Sequence, residues 1–179
     1  MQDQQSVLTL LTQYTTQDPL EQQSLIFIQN FVTNHERYWS RKTLEGHLTA
    51  SAWITNAECN KAVLLHHGKL NIWVQPGGHI DDEDESLLAA SMREAQEETG
   101  LNKLSLMRGG LFDVDVHVIP ERKNEPEHHH LDIRFWFCAD NEALILSDES
   151  HELQWLTKTQ IYEKTQEESV LRMVRKSLV

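Results

Sequence analysis

Gly77-Gly78-His79-Ile80-Asp81-Asp82-Glu83-Asp84-Glu85-Ser86-Leu87-Leu88-Ala89-Ala90-Ser91-Met92-Arg93-Glu94-Ala95-Gln96-Glu97-Glu98-Thr99-Gly100-Leu101 is the stretch on which the reading of this chain turns. Residues 79–101 hold eight acidic side chains and one basic one. The 179-residue chain as a whole carries 28 Asp and Glu against 16 Lys and Arg, a formal charge of −12, so seven of the twelve excess negative charges fall in 23 residues. Bulk solubility requires no such concentration. The apolar spacing predicts a long helix from about Glu85 to Thr99, with Gly100 placed where a left-handed residue closes a helix.

At about 100° per residue, Glu94, Glu97 and Glu98 share one face of that helix. Like charges at i, i+3 and i+4 repel one another, so the face calls for a counter-charge. Hard divalent cations prefer oxygen ligands, and Mg²⁺ is commonly held by a few carboxylates together with substrate phosphates and water. The same wheel predicts a separate buried stripe of Leu88, Met92, Ala95 and Thr99. Ala90 and Ser91 flank the carboxylates with small groups and leave room for a bulky ligand. A charge run alone is more often a solvated face. Gly77 and Gly78 tilt the reading, because glycines let backbone approach a ligand closely.

Arg93-Glu94-Ala95-Gln96-Glu97-Glu98-Thr99-Gly100-Leu101 resembles the second half of the Nudix box, G-x5-E-x7-R-E-U-x-E-E-x-G-U with U aliphatic, and seven residues separate Glu85 from Arg93. Two positions depart from the pattern. Six residues rather than five separate Gly78 from Glu85, and Ala95 replaces a larger aliphatic. The resemblance implies an α/β fold, a Nudix-type α/β/α sandwich with a mixed sheet. It implies hydrolysis of a nucleoside diphosphate linked to another moiety, with Mg²⁺ as cofactor and Mn²⁺ as a substitute. By resemblance, Glu94, Glu97 and Glu98 are the metal-binding carboxylates, the Gly77 carbonyl is a further ligand, and Glu85 pairs with Arg93 to orient the set. A box glutamate or a carboxylate of a later loop takes the proton from water. Glu149 is the favoured loop residue and Glu152 its competitor. Gly78 and His79 are the candidate substrate contacts. A Nudix-fold nucleotide sensor without catalysis is the alternative, disfavoured because Glu85, Glu94, Glu97 and Glu98 are all present.

Outward from the box, residues 1–36 read as a helical extension packed on the domain, and residues 37–179 as the Nudix domain. Val7, Leu8, Leu10, Leu11 and Tyr14 have helical spacing. Asp18-Pro19-Leu20-Glu21 supplies a cap, a first-turn proline and a Glu at the third position. Leu25, Ile28, Phe31 and Val32 continue the second helix, and the pair is also a candidate homodimer contact. Strands are predicted over 47–55, 62–66, 71–74 and 131–139, and briefly over 153–156, with a last helix from about Glu167. Val114, Val116 and Val118 alternate with Asp113, Asp115 and His117, which puts the polar three on one sheet face, lining a cleft or solvated. Pro120 to His130 reads as a charged loop.

Composition narrows the partners. A pI near 5.2 argues against broad binding to nucleic-acid phosphates, which needs a basic stripe. Two cysteines, Cys59 and Cys138, build no disulfide framework. No apolar run approaches a membrane span and the first residues do not read as a secretory leader. The expected protein is therefore cytoplasmic, with a small nucleotide-type substrate and no nucleic-acid or membrane partner. His128-His129-His130 suggests a transition-metal site only weakly, because neighbours in an extended segment point to alternate faces and at most two converge. A polar strand entry or a substrate contact is the plainer reading. Trp53, Trp73, Trp136 and Trp155 read as core. Auxiliary motifs for ADP-ribose, coenzyme A or dinucleoside polyphosphates are not found, so no subfamily is indicated.

Overall fold

The computed structural model describes residues 3–68, 70–121, 126–147 and 150–179. Two helices come first, α1 (Gln4–Gln13) and α2 (Pro19–Asn34). Strands β1 (Gly46–Thr55), β2 (Lys61–His67), β3 (Trp73–Val74) and β4 (Gly77–His79) precede helix α3 (Leu87–Thr99). Strands β5 (Leu104–Leu106), β6 (Asp113–Ile119), β7 (His128–Ala139) and β8 (Ser150–Thr157) follow, then helices α4 (Lys158–Lys164) and α5 (Glu168–Ser177). Among the described residues, eight strands form one mixed sheet in which β1 runs parallel to β7 over ten paired residues and the other pairings are antiparallel.

The strand period of two sorts side chains to opposite faces. Leu48, Ala50, Ala52 and Ile54 of β1, with Leu131, Ile133, Phe135 and Phe137 of β7, join a core with residues of α1, α2 and α3. Trp53 belongs to a second core with residues of α4 and α5, and the partly buried Trp136 packs against it. This is the expected α/β/α layering.

Two expectations are corrected here. His128, His129 and His130 are strand rather than loop, paired with Gly46 and His47 of β1 and with His117, Val118 and Ile119 of β6. Asp18 caps α2 as read, accepting from the Leu20 and Glu21 amides. The Glu21 carboxylate, however, does not return to the cap. It is fully buried and takes Lys176, Tyr14 and Thr16 as partners. Nor does Asp113 line a cleft or face solvent, whereas Asp115 borders a groove between α2 and α5. Asp113 is wholly buried and bonds Arg134, Arg172 and Lys176, while Asp115 lies within 3.6 Å of both arginines. This ion network binds α2 and α5 to the polar face of β6 and β7. The signals for it were local only in part, since its members lie 57 to 155 residues apart where α5 meets α2 and β6.

Candidate active site

Helix α3 begins at Leu87, capped by the Ser86 hydroxyl, which accepts from the Ala89 amide at 3.1 Å. It ends at Gly100, which has φ 71° and donates its N–H to the Gln96 carbonyl. Its buried residues are Leu87, Ala90, Ser91, Ala95 and Thr99, with Leu88 and Met92 only partly covered. Ala90 and Ser91 therefore do not leave room for a ligand. They let the helix sit close to the sheet, and the Ser91 hydroxyl donates to the Ser51 carbonyl of β1 at 2.7 Å. The buried and acidic faces overlap rather than standing apart, so the carboxylates are pressed toward the glycine turn.

The turn explains its own glycines. A Cβ on Gly78 would lie 2.6 Å from a Glu94 carboxylate oxygen, and one on Gly77 would collide with Ser51. The Gly77 amide donates to Glu98 Oε2 at 2.8 Å. Glu94 is largely buried, and burial pushes its carboxyl above the usual range. Glu97, at 59% side-chain exposure, faces the solvent side.

Arg93 organises the group. Its Nε and Nη2 hold both oxygens of Asp84 at 3.1 and 2.8 Å, its Nη1 reaches Glu94 at 2.9 Å and Glu97 at 3.1 Å, and its Nη2 also donates to the His79 carbonyl at 3.0 Å. Bidentate Arg–carboxylate pairing is among the most geometrically specific ion contacts. Burial alone would raise the Asp84 carboxyl, yet the Arg93 bonds and the Asp81 amide outweigh it and hold it low.

The expected Glu85–Arg93 pair is not formed. Glu85 precedes the helix cap and is exposed, while Asp84 occupies the buried position beside the arginine. Asp84 was the residue the sequence reading missed. Its signal was present, since five residues separate Gly78 from Asp84, the spacing that the box pattern requires before its first carboxylate. The extra residue thus falls between Asp84 and Arg93, and it is absorbed at the helix start. Asp84→Asn, which removes one charge from the bidentate partner of Arg93, is expected to lower turnover about 10–100-fold, while Glu85→Gln leaves it unchanged. Steady-state assays of the two variants check this, and the opposite order would restore the Glu85 pairing.

Of the remaining candidates, Glu149 lies outside the described residues. Glu152 is exposed on β8 and accepts from Gln154 at 2.8 Å. His79 follows Gly78 on β4, its ring beside those of His47 and His130.

A model of the NUDIX domain matches residues 45–176. The chain belongs to the Nudix family. Helices α1 and α2 lie outside the matched span. This Nudix chain is 36% identical over 103 residues to the "Probable DHNTP pyrophosphohydrolase" of Lactococcus lactis subsp. cremoris (strain MG1363), over 56% of this chain and 59% of that protein. It is 41% identical over 75 residues to the m7GpppN-mRNA hydrolase NUDT17 of Xenopus laevis, over 41% of this chain and 24% of the relative. The chain therefore spans less than two thirds of the length of either curated relative. A crystal structure of a C. elegans Ap4A hydrolase binary complex superposes with a TM-score of 0.57 at 19% identity, over 72% of this chain and 93% of that one, a likeness of fold.

Proposed function

We propose that this Nudix protein hydrolyses a phosphoric anhydride in a small nucleotide-type substrate, a nucleoside diphosphate linked to another moiety, with Mg²⁺ held by Glu94, Glu97 and Glu98 and the Gly77 carbonyl as a further ligand. The observation that carries this reading is a charge imbalance. A single guanidinium, Arg93, stands within 4.0 Å of Asp81, Asp84, Glu94 and Glu97, and Glu98 adjoins the same turn. The donor set is all oxygen, and the desolvated Glu94 lacks a full counter-charge, which fits a hard divalent cation. Mn²⁺ suits the same donors.

Held by Glu94, Glu97 and Glu98, such a cation would offset negative charge developing in the reaction and would lower the pKa of water. The chain's own part is placement. Arg93 fixes Glu94 and Glu97 and, through the His79 carbonyl, ties α3 to β4. Asp84 locks the guanidinium, and Glu98 anchors on the Gly77 amide. Gly78 is the candidate substrate contact, because glycine backbone there admits a phosphate close to the carboxylates. Glu149 is proposed to take the proton from the attacking water. Its replacement, Glu149→Gln, should then cost on the order of 10²–10⁴ in kcat, the range for a general base. A loss below about tenfold would assign the proton to a box glutamate.

The test is a panel of nucleoside diphosphate derivatives, dinucleoside polyphosphates, DHNTP and m7GpppN-capped RNA, incubated with Mg²⁺ and resolved by chromatography. Cleavage of a small nucleotide-type member supports the reading. Calorimetric binding without any product favours the sensor alternative, and preference for capped RNA would replace the small substrate with an RNA end.

A further inference from the structure

We propose that His47, His79 and His130 form a second metal site, separate from the carboxylates of the box, that takes a borderline d-block ion of the Zn²⁺ type. The three come from three strands. In the sheet, His47 of β1 pairs with His130 of β7, and Thr49, two residues further along β1 on the same face, pairs with His79 of β4. One ring nitrogen from each lies within 4.8 Å of the other two. The ring centroids are 4.8, 5.1 and 5.2 Å apart. Of the His128-His129-His130 run, alternation brings only His128 and His130 to this face, and His129 turns to Phe27.

His47 supplies the independent sign of a ligand. It is 3% exposed, and neither ring nitrogen has a hydrogen-bond partner. A buried polar group left unpaired costs roughly 1–3 kcal/mol, and an ion at this point would satisfy it. No carboxylate belongs to the three-residue set. An all-imidazole set suits Zn²⁺, Co²⁺, Ni²⁺ or Cu²⁺ and disfavours Mg²⁺, which prefers carboxylate and water. Three histidines also leave the fourth tetrahedral position open.

Competing anion binding would need protonated rings. Burial first, and the neighbouring imidazoles second, disfavour the protonated form of His47 and His130. A tetrahedral site with Zn–N bonds of about 2.0–2.1 Å needs the nitrogens to draw together, which rotation of the half-buried His79 and His130 rings allows. An ion here would join β4, and with it the Gly77–Gly78 turn, to β1 and β7.

The untagged full chain, stripped with chelator, is titrated with Co²⁺ and followed by visible absorption. The expected result is one tetrahedral Co²⁺ per chain, with the intense bands that an octahedral oxygen site lacks, displaced by Zn²⁺. His130→Asn should weaken it by at least about 10–100-fold, the loss found even for outer-shell partners. Glu97→Gln in the box and His66→Asn outside the cluster should leave the spectrum intact. Circular dichroism confirms that His130→Asn, at a half-exposed position, keeps the fold. A wild-type spectrum of octahedral form only, or a tetrahedral one that survives His130→Asn, overturns the proposal.

Discussion

Glu98→Gln is expected to reduce kcat/KM by on the order of 10²–10⁴ while leaving the melting temperature near that of the unaltered chain. Glu98 has two tasks at the turn. One oxygen accepts the Gly77 N–H at 2.8 Å, a bond that a glutamine carbonyl can keep. Its charge is the property that glutamine removes, and on the proposed mechanism the charge holds the cation. Steady-state assays across a range of Mg²⁺ concentrations separate the two tasks, since lost metal affinity raises the Mg²⁺ needed for half-maximal rate. Unaltered turnover at every Mg²⁺ concentration would take Glu98 out of the site.

Arg172→Met is expected to destabilise the fold by about 3–5 kcal/mol, the cost of breaking a buried ion pair from one side. For a chain of this length that lowers the melting temperature by roughly 10 °C. Arg172 has 4% side-chain exposure, and its Nε and Nη2 bond both oxygens of Asp113 at 2.9 and 2.7 Å, while Nη2 also donates to the Val114 carbonyl at 2.9 Å. Methionine fills similar volume but leaves Asp113, wholly buried, to Arg134 and Lys176 alone. The same network sets a pH dependence. Burial alone would raise Asp115, yet the His117 hydrogen bond and the Arg134 and Arg172 charges outweigh it and bring it from 3.8 to about 2. A depressed carboxylate stabilises the fold above its unfolded value and loses that contribution as pH falls through the folded one. The loss therefore falls between about pH 4 and pH 2. Thermal melts of the variant and an acid titration of the parent chain check both statements. A melting temperature unchanged by Arg172→Met would make the network dispensable.

What the sequence disclosed was local. The Asp18 cap, the left-handed Gly100 and the shared face of Glu94, Glu97 and Glu98 all follow from spacing within a few residues, and the structure has the helices they predict. Where a side chain's neighbour came from afar, local spacing misled. Glu21 fits a capping pattern but is drawn to Lys176, which α5 brings across the sheet. Ala90 and Ser91 look like open space until β1 is packed against them. Glu85 has the right count to Arg93, yet the Ser86 cap leaves it outside the helix, and Arg93 bonds Asp84 instead. The three-histidine cluster depends on the register of β1, β4 and β7, which no single segment encodes.

The acidic side chains of the folded chain divide into two groups by cause. Asp81, Asp84, Glu94 and Glu97 gather on one arginine, and Asp113, Asp115, Asp132 and Glu21 are buried against Arg134, Arg172 and Lys176. The second group nearly neutralises itself inside the fold, whereas the first leaves an excess at the surface of the glycine turn. That excess is the physical case for a cation. Its most direct test is hydrolysis by chelator-stripped protein of whichever panel member proves a substrate, with Mg²⁺ then returned in steps. The account predicts no product without the ion and a rate that rises to saturation as Mg²⁺ is added. Turnover that persists without any divalent cation would contradict it.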